Sequence, residues 1–273
     1  MFTDWHGSLE GPTWIKPRWP EQVVRGLFSF RTNGVSLPPY DSLNMGLHVG
    51  DNPQHVLANR ALLSRELGGS VDEWVVGDQV HGNQVAVVDD LDLSRNEGGV
   101  SVPGVDGLVT ARTNITLAVF AADCVPILFF DPIQRVIATA HSGWKGTVLH
   151  IARNVVQTMK NRFGSESENI EVWFGPSIRQ CCYEVDERVA EPVRQEFGAA
   201  HLWRRTRPGK YLLNLQSCIR QDLLAEGLRP EHIVDSGLCT ASHRDWLFSH
   251  RADHGQTGRL AGAVRLTFGG ELG

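Results

Sequence analysis

No stretch of this chain approaches the roughly 18 consecutive apolar residues that span a bilayer, so the sequence predicts no membrane-crossing helix. Cysteine is scarce: 5 residues, an odd number at irregular spacings, in a chain of 273. That points to reduced thiols in the cytoplasm and not to a disulfide framework. Positive charge is also in deficit. The 26 Lys and Arg stand against 31 Asp and Glu, a net charge of -5, which leaves no electrostatic footprint for nucleic acid or an anionic membrane. The densest basic run, Arg204-Arg205-Thr206-Arg207, reads as a solvated loop. The opening residues lack both a positive n-region and an apolar h-region, so no secretory signal is expected. The patterns G-x-G-x-x-G, G-x-x-x-x-G-K-[ST] and G-x-S-x-G do not occur. The sequence therefore gives no motif for a dinucleotide site, a P-loop or a nucleophile elbow. Zinc-finger spacing is missing as well, and the adjacent Cys181 and Cys182 cannot easily share one ion.

What is present is an ordinary globular composition, 41% hydrophobic and 21% charged, in a chain long enough for a sizeable core. Residues 1–22, rich in Trp, Pro and Gly, predict an irregular arm. Short β-branched runs predict strands at 23–30, 73–76, 84–88, 106–110, 115–121, 170–174 and 259–268. Asn52 as N-cap and Pro53 at the first position start a helix that Gly68-Gly69 stops. Helical periods also run over 147–163, 186–197 and 215–226. Residues 89–104 are polar and Gly-rich, as in a surface loop. No repeat, low-complexity tract or linker divides the chain. One layered α/β domain with mixed β-sheets over 23–273, preceded by the arm, is the simplest account.

The chemistry concentrates in residues 121–146, AADCVPILFFDPIQRVIATAHSGWKG. Two apolar runs, 125–130 and 136–140, flank a turn at Asp131-Pro132. Paired antiparallel, they would place Cys124, just before the first, beside His141, just after the second. A thiolate next to an imidazole suits either a metal site or a Cys/His nucleophile pair. A buried structural Cys with an unrelated loop His is the plain alternative. His81, in a Gly-flanked loop between two strands, is the most plausible third partner. Two His and one Cys make a tetrahedral zinc site with one open position, and the same set suits copper. The Gly143-Trp-Lys-Gly146 segment leads into a helix and could bind an anion, with Lys145 adding charge. His250-x-x-x-His254 has helical metal spacing but lacks the intervening Glu and reads as a loop.

Several motifs occur in a fixed order: GVS (34–36), SLNMGLHVGD (42–51), NR (59–60), QVHG (79–82), DGLVT (106–110), ADCVPILFFDP (122–132), AHSGWKG (140–146), GPSIRQCCYEV (175–185) and RADHGQTGRLAG (251–262). This series resembles the laccase-domain family, the multicopper polyphenol oxidoreductase-like proteins since reassigned as purine nucleoside phosphorylases. The resemblance covers nearly all of the chain beyond residue 23. It implies a layered α/β sandwich similar to the catalytic domain of cytotoxic necrotizing factor, with zinc on His81, Cys124 and His141. Ser249-His250-Arg251 departs from the Ser-Tyr-Arg-like run more usual there.

The laccase reading meets a chemical obstacle. Multicopper oxidases hold a trinuclear copper cluster on many imidazoles, typically in His-x-His pairs, yet none of the 11 His forms such a pair. The resemblance instead implies metal-assisted phosphorolysis of adenosine, inosine or methylthioadenosine, with deamination of adenosine as a second activity. Phosphorolysis needs an anion site and a means to support the ribosyl cation and the leaving base. Arg60 is the first choice for phosphate, since a guanidinium grips two oxygens at once. Asn44 and Gln79 could hydrogen-bond ribose or base. The alternatives are a metal-free cysteine hydrolase or deamidase using Cys124 and His141, a copper-binding polyphenol oxidoreductase, and a non-catalytic partner protein.

Overall fold

Strands covered on both faces need apolar residues at nearly every position, and the two runs of the 121–146 segment meet that demand at all positions but Thr139. The computed structural model describes residues 5–8, 11–90, 93, 98–198 and 200–267. Its strands are β1 (Trp5–Ser8), β2 (Gly11–Ile15), β3 (Val24–Ser29), β4 (Trp74–Gly77), β5 (Val85–Val87), β6 (Val100–Val102), β7 (Gly107–Thr110) and β8 (Thr116–Ala121). There follow β9 (Val125–Asp131), β10 (Val136–Ser142), β11 (Glu171–Phe174), β12 (Glu184–Asp186), β13 (Trp203–Arg207), β14 (Lys210–Leu213), β15 (Ile233–Asp235) and β16 (Leu260–Leu266). The helices are α1 (Pro53–Leu67), α2 (Trp144–Val148), α3 (Ile151–Phe163), α4 (Glu187–Phe197) and α5 (Leu215–Ala225).

Two mixed sheets stack face to face. One runs β1-β2-β3-β16-β8-β4-β6 and the other β15-β11-β9-β10-β7-β5, while β12-β14-β13 form a small antiparallel sheet. Alternation along single strands builds the layers. In β8, Leu117 and Val119 enter the core between the two large sheets, whereas Ala118 and Phe120 face α1. In β9, Leu128 and Phe130 point into that same core, whereas Ile127 and Phe129 face α3 and α5. The result is helix on sheet on sheet on helix, the layered sandwich with mixed sheets that the sequence predicts. No described helix is long and apolar enough to cross a membrane.

The β9–β10 hairpin is antiparallel, with His141 opposite Pro126 and Ser142 opposite Val125. Asp131 closes its turn by accepting from the backbone N–H groups of Ile133 and Gln134 at 2.8 and 3.0 Å. α1 begins and ends as expected, with Asn52 capping the Gln54 N–H at 2.9 Å and Gly68 left-handed at φ 76°.

Four expectations are corrected. The arm is not wholly irregular: β1 and β2 pair antiparallel and extend the larger sheet. The helix expected over 147–163 is broken into α2 and α3 at His150, whose φ of 58° reverses the chain. Its ring is held by Asp222 at 2.8 Å and Glu196 at 3.0 Å, two contacts with distant helices that periodicity cannot signal. Arg204-Arg205-Thr206-Arg207 is no loop but lies in β13, an exposed edge strand whose Arg207 pairs with Glu184 at 2.9 Å. Within the polar stretch 89–104 the chain also forms β6, and Phe268, the last residue of the final expected strand, lies outside the described residues.

Candidate metal centre and cavity

One carboxylate organises the metal-type cluster. Asp106 stands immediately before β7, which pairs with β10, so it lies beside His141. The His141 Nδ1 and an Asp106 carboxylate oxygen are 2.8 Å apart, and the His141 backbone N–H donates to the Asp106 carbonyl at 2.8 Å. Asp106 also accepts from the backbone N–H groups of His81 and Gly82 at 3.0 and 2.7 Å. These bonds hold the His81 loop, where His81 itself adopts φ 61°. One side chain thus aims both imidazoles. Three donated bonds keep the Asp106 carboxyl below its ordinary range, although burial alone would raise it.

Cys124 follows the tight turn after β8. The ligand atoms of His81, Cys124 and His141 all lie within 4.8 Å of one another, and the two rings meet edge to face with centroids 4.8 Å apart. Gly143 closes the third side, where a Cβ would stand 2.9 Å from the Cys124 Sγ and 3.3 Å from the His81 Cδ2. Burial would raise the Cys124 thiol, but the facing imidazoles of His141 and His81 outweigh it and lower the thiol to about 6. Burial works against the His141 imidazolium too, yet Cys124 and Asp106 raise it to about 9. With Nδ1 engaged by Asp106, the His141 Nε2 is the nitrogen left for a ligand. A thiolate and two imidazoles, one fixed by a carboxylate, are a donor set that fits zinc or copper.

The cluster lies in the wall of a cavity of about 700 Å³ that also includes Arg60, His48, Arg259, Tyr183, His250 and Arg251. Arg60 is only 3% exposed. Its Nε donates to the Met45 carbonyl at 3.0 Å and one Nη to the Gly98 carbonyl at 3.3 Å. The guanidinium lies over the rings of Phe120 and Trp74, at 4.7 and 5.4 Å from their centroids. Among the described residues, no ion pair to Arg60 is found. Burial without a carboxylate lowers its pKa to about 10. An uncompensated buried cation of this kind favours an anionic ligand.

Other expected contacts fall differently. Gln79 lines the cavity, but its amide is engaged with the Phe120 backbone, donating to the carbonyl at 2.6 Å and accepting from the N–H at 2.8 Å. Asn44 is fully buried and does not line the cavity. It bonds Asp51 and the backbone of Gly46 and Arg259, which fixes the preceding loop. Lys145 is exposed on the short α2 and also stays outside the cavity lining. His250 and His254 lie in a turn, as expected, and only His250 lines the cavity.

Sequence reasoning did not single out Asp106, Asp123, His48 or Arg259. Asp123, at φ 93°, accepts from the Thr240 and Ser249 hydroxyls at 2.6 and 2.7 Å and from the Arg251 N–H at 2.6 Å. It thereby fastens the 249–251 turn to the metal-type cluster. His48 and Arg259 sit in motifs too specific in composition for linkers, which was the available signal.

Fold and site together define a layered α/β protein with a His/Cys/His centre in the wall of a cationic cavity. The chain belongs to the family described as multi-copper polyphenol oxidoreductase laccase, whose model matches residues 25–267. It is 39% identical to the purine nucleoside phosphorylase YlmD of Bacillus subtilis over 249 residues, 90% of this chain and 89% of that protein. It is 41% identical to the purine nucleoside phosphorylase YlmD of Geobacillus stearothermophilus over 242 residues, 87% of this chain and 88% of that protein. The crystal structure of YlmD from Geobacillus stearothermophilus shares the fold, with a TM-score of 0.88 and 36% identity over 97% of this chain and 99% of that one.

Proposed function

We propose that the chain is a zinc-dependent purine nucleoside phosphorylase. It would use inorganic phosphate to release the free base from adenosine, inosine or methylthioadenosine, leaving the sugar 1-phosphate. Adenosine deamination would be a second, phosphate-independent activity of the same cavity. The observation that carries this reading is a juxtaposition: a soft-donor trio and a buried guanidinium with no ion pair among the described residues line one cavity. Its volume of about 700 Å³ suits a nucleoside with phosphate beside it. The names of the relatives support the same reaction class.

His81, Cys124 and His141 would hold the ion, which when bound supplies Lewis-acid polarisation. Arg60 would bind phosphate with its unused N–H groups, and Arg259, in the same lining, would add a second positive charge. His48 is held below its ordinary pKa by burial and by Arg259 and Arg60. It therefore faces the cavity as a neutral imidazole, suited to hydrogen-bond a ribose hydroxyl. The described residues offer two groups of three close His, Cys, Asp or Glu ligands, and only this one contains imidazole. A trinuclear copper cluster needs more. We take residues 23–273 as one catalytic unit working in the reducing cytoplasm, in keeping with five free cysteines.

The test combines metal analysis with a nucleoside panel, with and without phosphate. The expected result is about one zinc per chain more than Cys124→Ala retains, and base release that stops when phosphate is omitted. Equal base release in phosphate-free buffer would overturn phosphorolysis. Zinc content in Cys124→Ala equal to that of the wild type would overturn the metal assignment.

One observation favours a second reading. Cys124, His141 and Asp106 form a thiol–imidazole–carboxylate line like that of a cysteine hydrolase. His81 has no role in such a line, and for that reason the metal reading is preferred. Metal-free protein that turns over an amide and is inactivated by alkylation at Cys124 alone would reverse the preference.

A further inference from the structure

A second sulfur-rich cluster lies outside the cavity. Cys181 and Cys182 occupy the turn after β11, where the Cys182 and Tyr183 N–H groups both donate to the Arg179 carbonyl at 2.9 Å. Cys239 follows β15, pairs with Ser177 through an isolated parallel bridge and is only 3% exposed. All three sulfurs lie within 4.8 Å of one another, with the Cys181 and Cys182 Sγ atoms 3.6 Å apart. The adjacency of Cys181 and Cys182, which in sequence argues against a shared ion, is no obstacle in this turn. The Ser242 Oγ stands 3.2 Å from the Cys182 Sγ and 3.8 Å from the Cys181 Sγ. All of these cysteines are free thiols.

The spacing has a chemical meaning. Metal–sulfur bonds of about 2.3 Å in tetrahedral or trigonal array place neighbouring sulfurs roughly 3.8–4.0 Å apart. Thiols are weak hydrogen-bond donors and gain little from one another. The sulfur spacing here therefore matches a ligand set better than it serves packing. The Arg179 guanidinium, fixed by two bonds to Asp235 at 2.8 and 2.9 Å, lies within electrostatic reach of Cys239 and Cys181 and offsets part of the negative charge of three thiolates. Cys181 is exposed, which gives an ion a route in.

We propose that Cys181, Cys182 and Cys239 form a second metal site, binding one thiophilic d10 cation of the Zn2+ or Cu+ class through three thiolates, with the Ser242 hydroxyl as neighbouring donor. On binding, each thiol gives up its proton to solvent and the sulfur lone pair forms the metal bond, with no change of oxidation state. The ion would pin the 177–183 segment to the 239–242 turn. Those segments carry Ile178 and Tyr183 of the cavity lining, and Thr240, which bonds Asp123. The second ion would thus be a clamp behind the cavity wall.

The test uses the full chain carrying Cys124→Ser, which removes the thiolate of the first centre, reduced and kept anaerobic. Cd2+ is the probe, followed by the ultraviolet thiolate-to-metal charge-transfer band, with Zn2+ as competitor. The expected result is saturation at about one equivalent and the loss of three thiols to a thiol reagent. Adding Cys239→Ser should weaken binding by on the order of tenfold or more. Because Cys239 is buried and its replacement could disturb folding, Cys181→Ser at an exposed position is the companion variant and should weaken binding likewise. Cys218→Ser should leave it unchanged. A missing band, or one that survives both Cys181→Ser and Cys239→Ser, would overturn the site. So would a disulfide within the trio in protein purified with reductant present.

Discussion

Two histidines in this molecule each meet an aspartate at 2.8 Å through Nδ1, and they do opposite things. His141 faces Asp106 with side-chain exposures of 5% and 0%, and its other nitrogen is left for the cavity. His150 faces Asp222 with exposures of 23% and 10%, and its other nitrogen meets Glu196 at 3.0 Å. The first pair prepares a ligand. The second ties the start of α3 to α4 and α5 and leaves no nitrogen for chemistry. The carboxylates differ as well. Asp106 receives two backbone N–H bonds besides its imidazole and is held below its ordinary pKa. Asp222 has burial against it and a further repulsion from Glu196, and its His150 bond only partly offsets these, so its pKa is raised. The partners of the carboxylate separate the two roles, and the His–Asp contact alone does not.

Asp106→Asn should have the largest effect. It puts an amide NH2 among groups that already donate, and releases both imidazoles. Metal affinity measured against a competing chelator should fall about ten- to a hundred-fold, with a stability loss of about 1–3 kcal/mol from unmet buried donors. Unchanged affinity would remove Asp106 as organiser. Gly143→Ala comes next, because its Cβ would crowd the Cys124 Sγ at 2.9 Å. Affinity should drop on the order of tenfold, with the circular dichroism spectrum preserved.

Asp222→Asn should leave metal affinity untouched and change stability by less than about 1 kcal/mol. Its sign depends on pH. A raised folded-state pKa means that the native state holds the proton more tightly than the unfolded chain. Wild-type stability from this group is therefore fully present below the ordinary aspartate value of 3.8 and declines as pH rises through the folded value. Thermal melts should show the variant gaining on wild type as pH climbs from about 4 towards 7; a wild type that gains on the variant over this range would reverse the assignment. The smallest effect belongs to Glu196→Gln. It removes an exposed partner of His150 and should stay within about 0.5 kcal/mol in the same melts.

The contrast also explains what the sequence could say. The β9–β10 pairing was legible because both strands are buried on both faces and flank an Asp-Pro turn, and the proximity of Cys124 and His141 followed from register. Asp106 was not legible, since nothing local distinguishes a carboxylate that collects three bonds across the fold from one on the surface. Arg60 was legible as a candidate only through its motif. Its burial over Phe120 and Trp74 is a tertiary fact. Asn44 and Gln79 were read as substrate contacts because amides suit ribose or base, but amides serve the backbone equally well, Asn44 that of a loop and Gln79 that of β8. Lys145 was named because a glycine-rich segment before a helix has the composition of an anion site, and that composition does not say whether the residue lines the cavity, which it does not. The helix break at His150 escaped because the apolar period continues through it.

The position of β16 bears on how the protein is made. It follows all the other described elements in the chain, yet it sits mid-sheet, pairing β3 on one side and β8 on the other. During synthesis β3 and β8 must wait, edges open, for a partner that emerges after everything between them. His81, Cys124 and His141 all precede that moment, whereas Arg259 and the 249–251 turn that Asp123 fastens arrive only with it. On the proposed reading, the wall that would hold metal can be in place on a growing chain before the wall that would hold the anion is complete. The proposed substrate site would then be a late acquisition, completed only as β16 slots home.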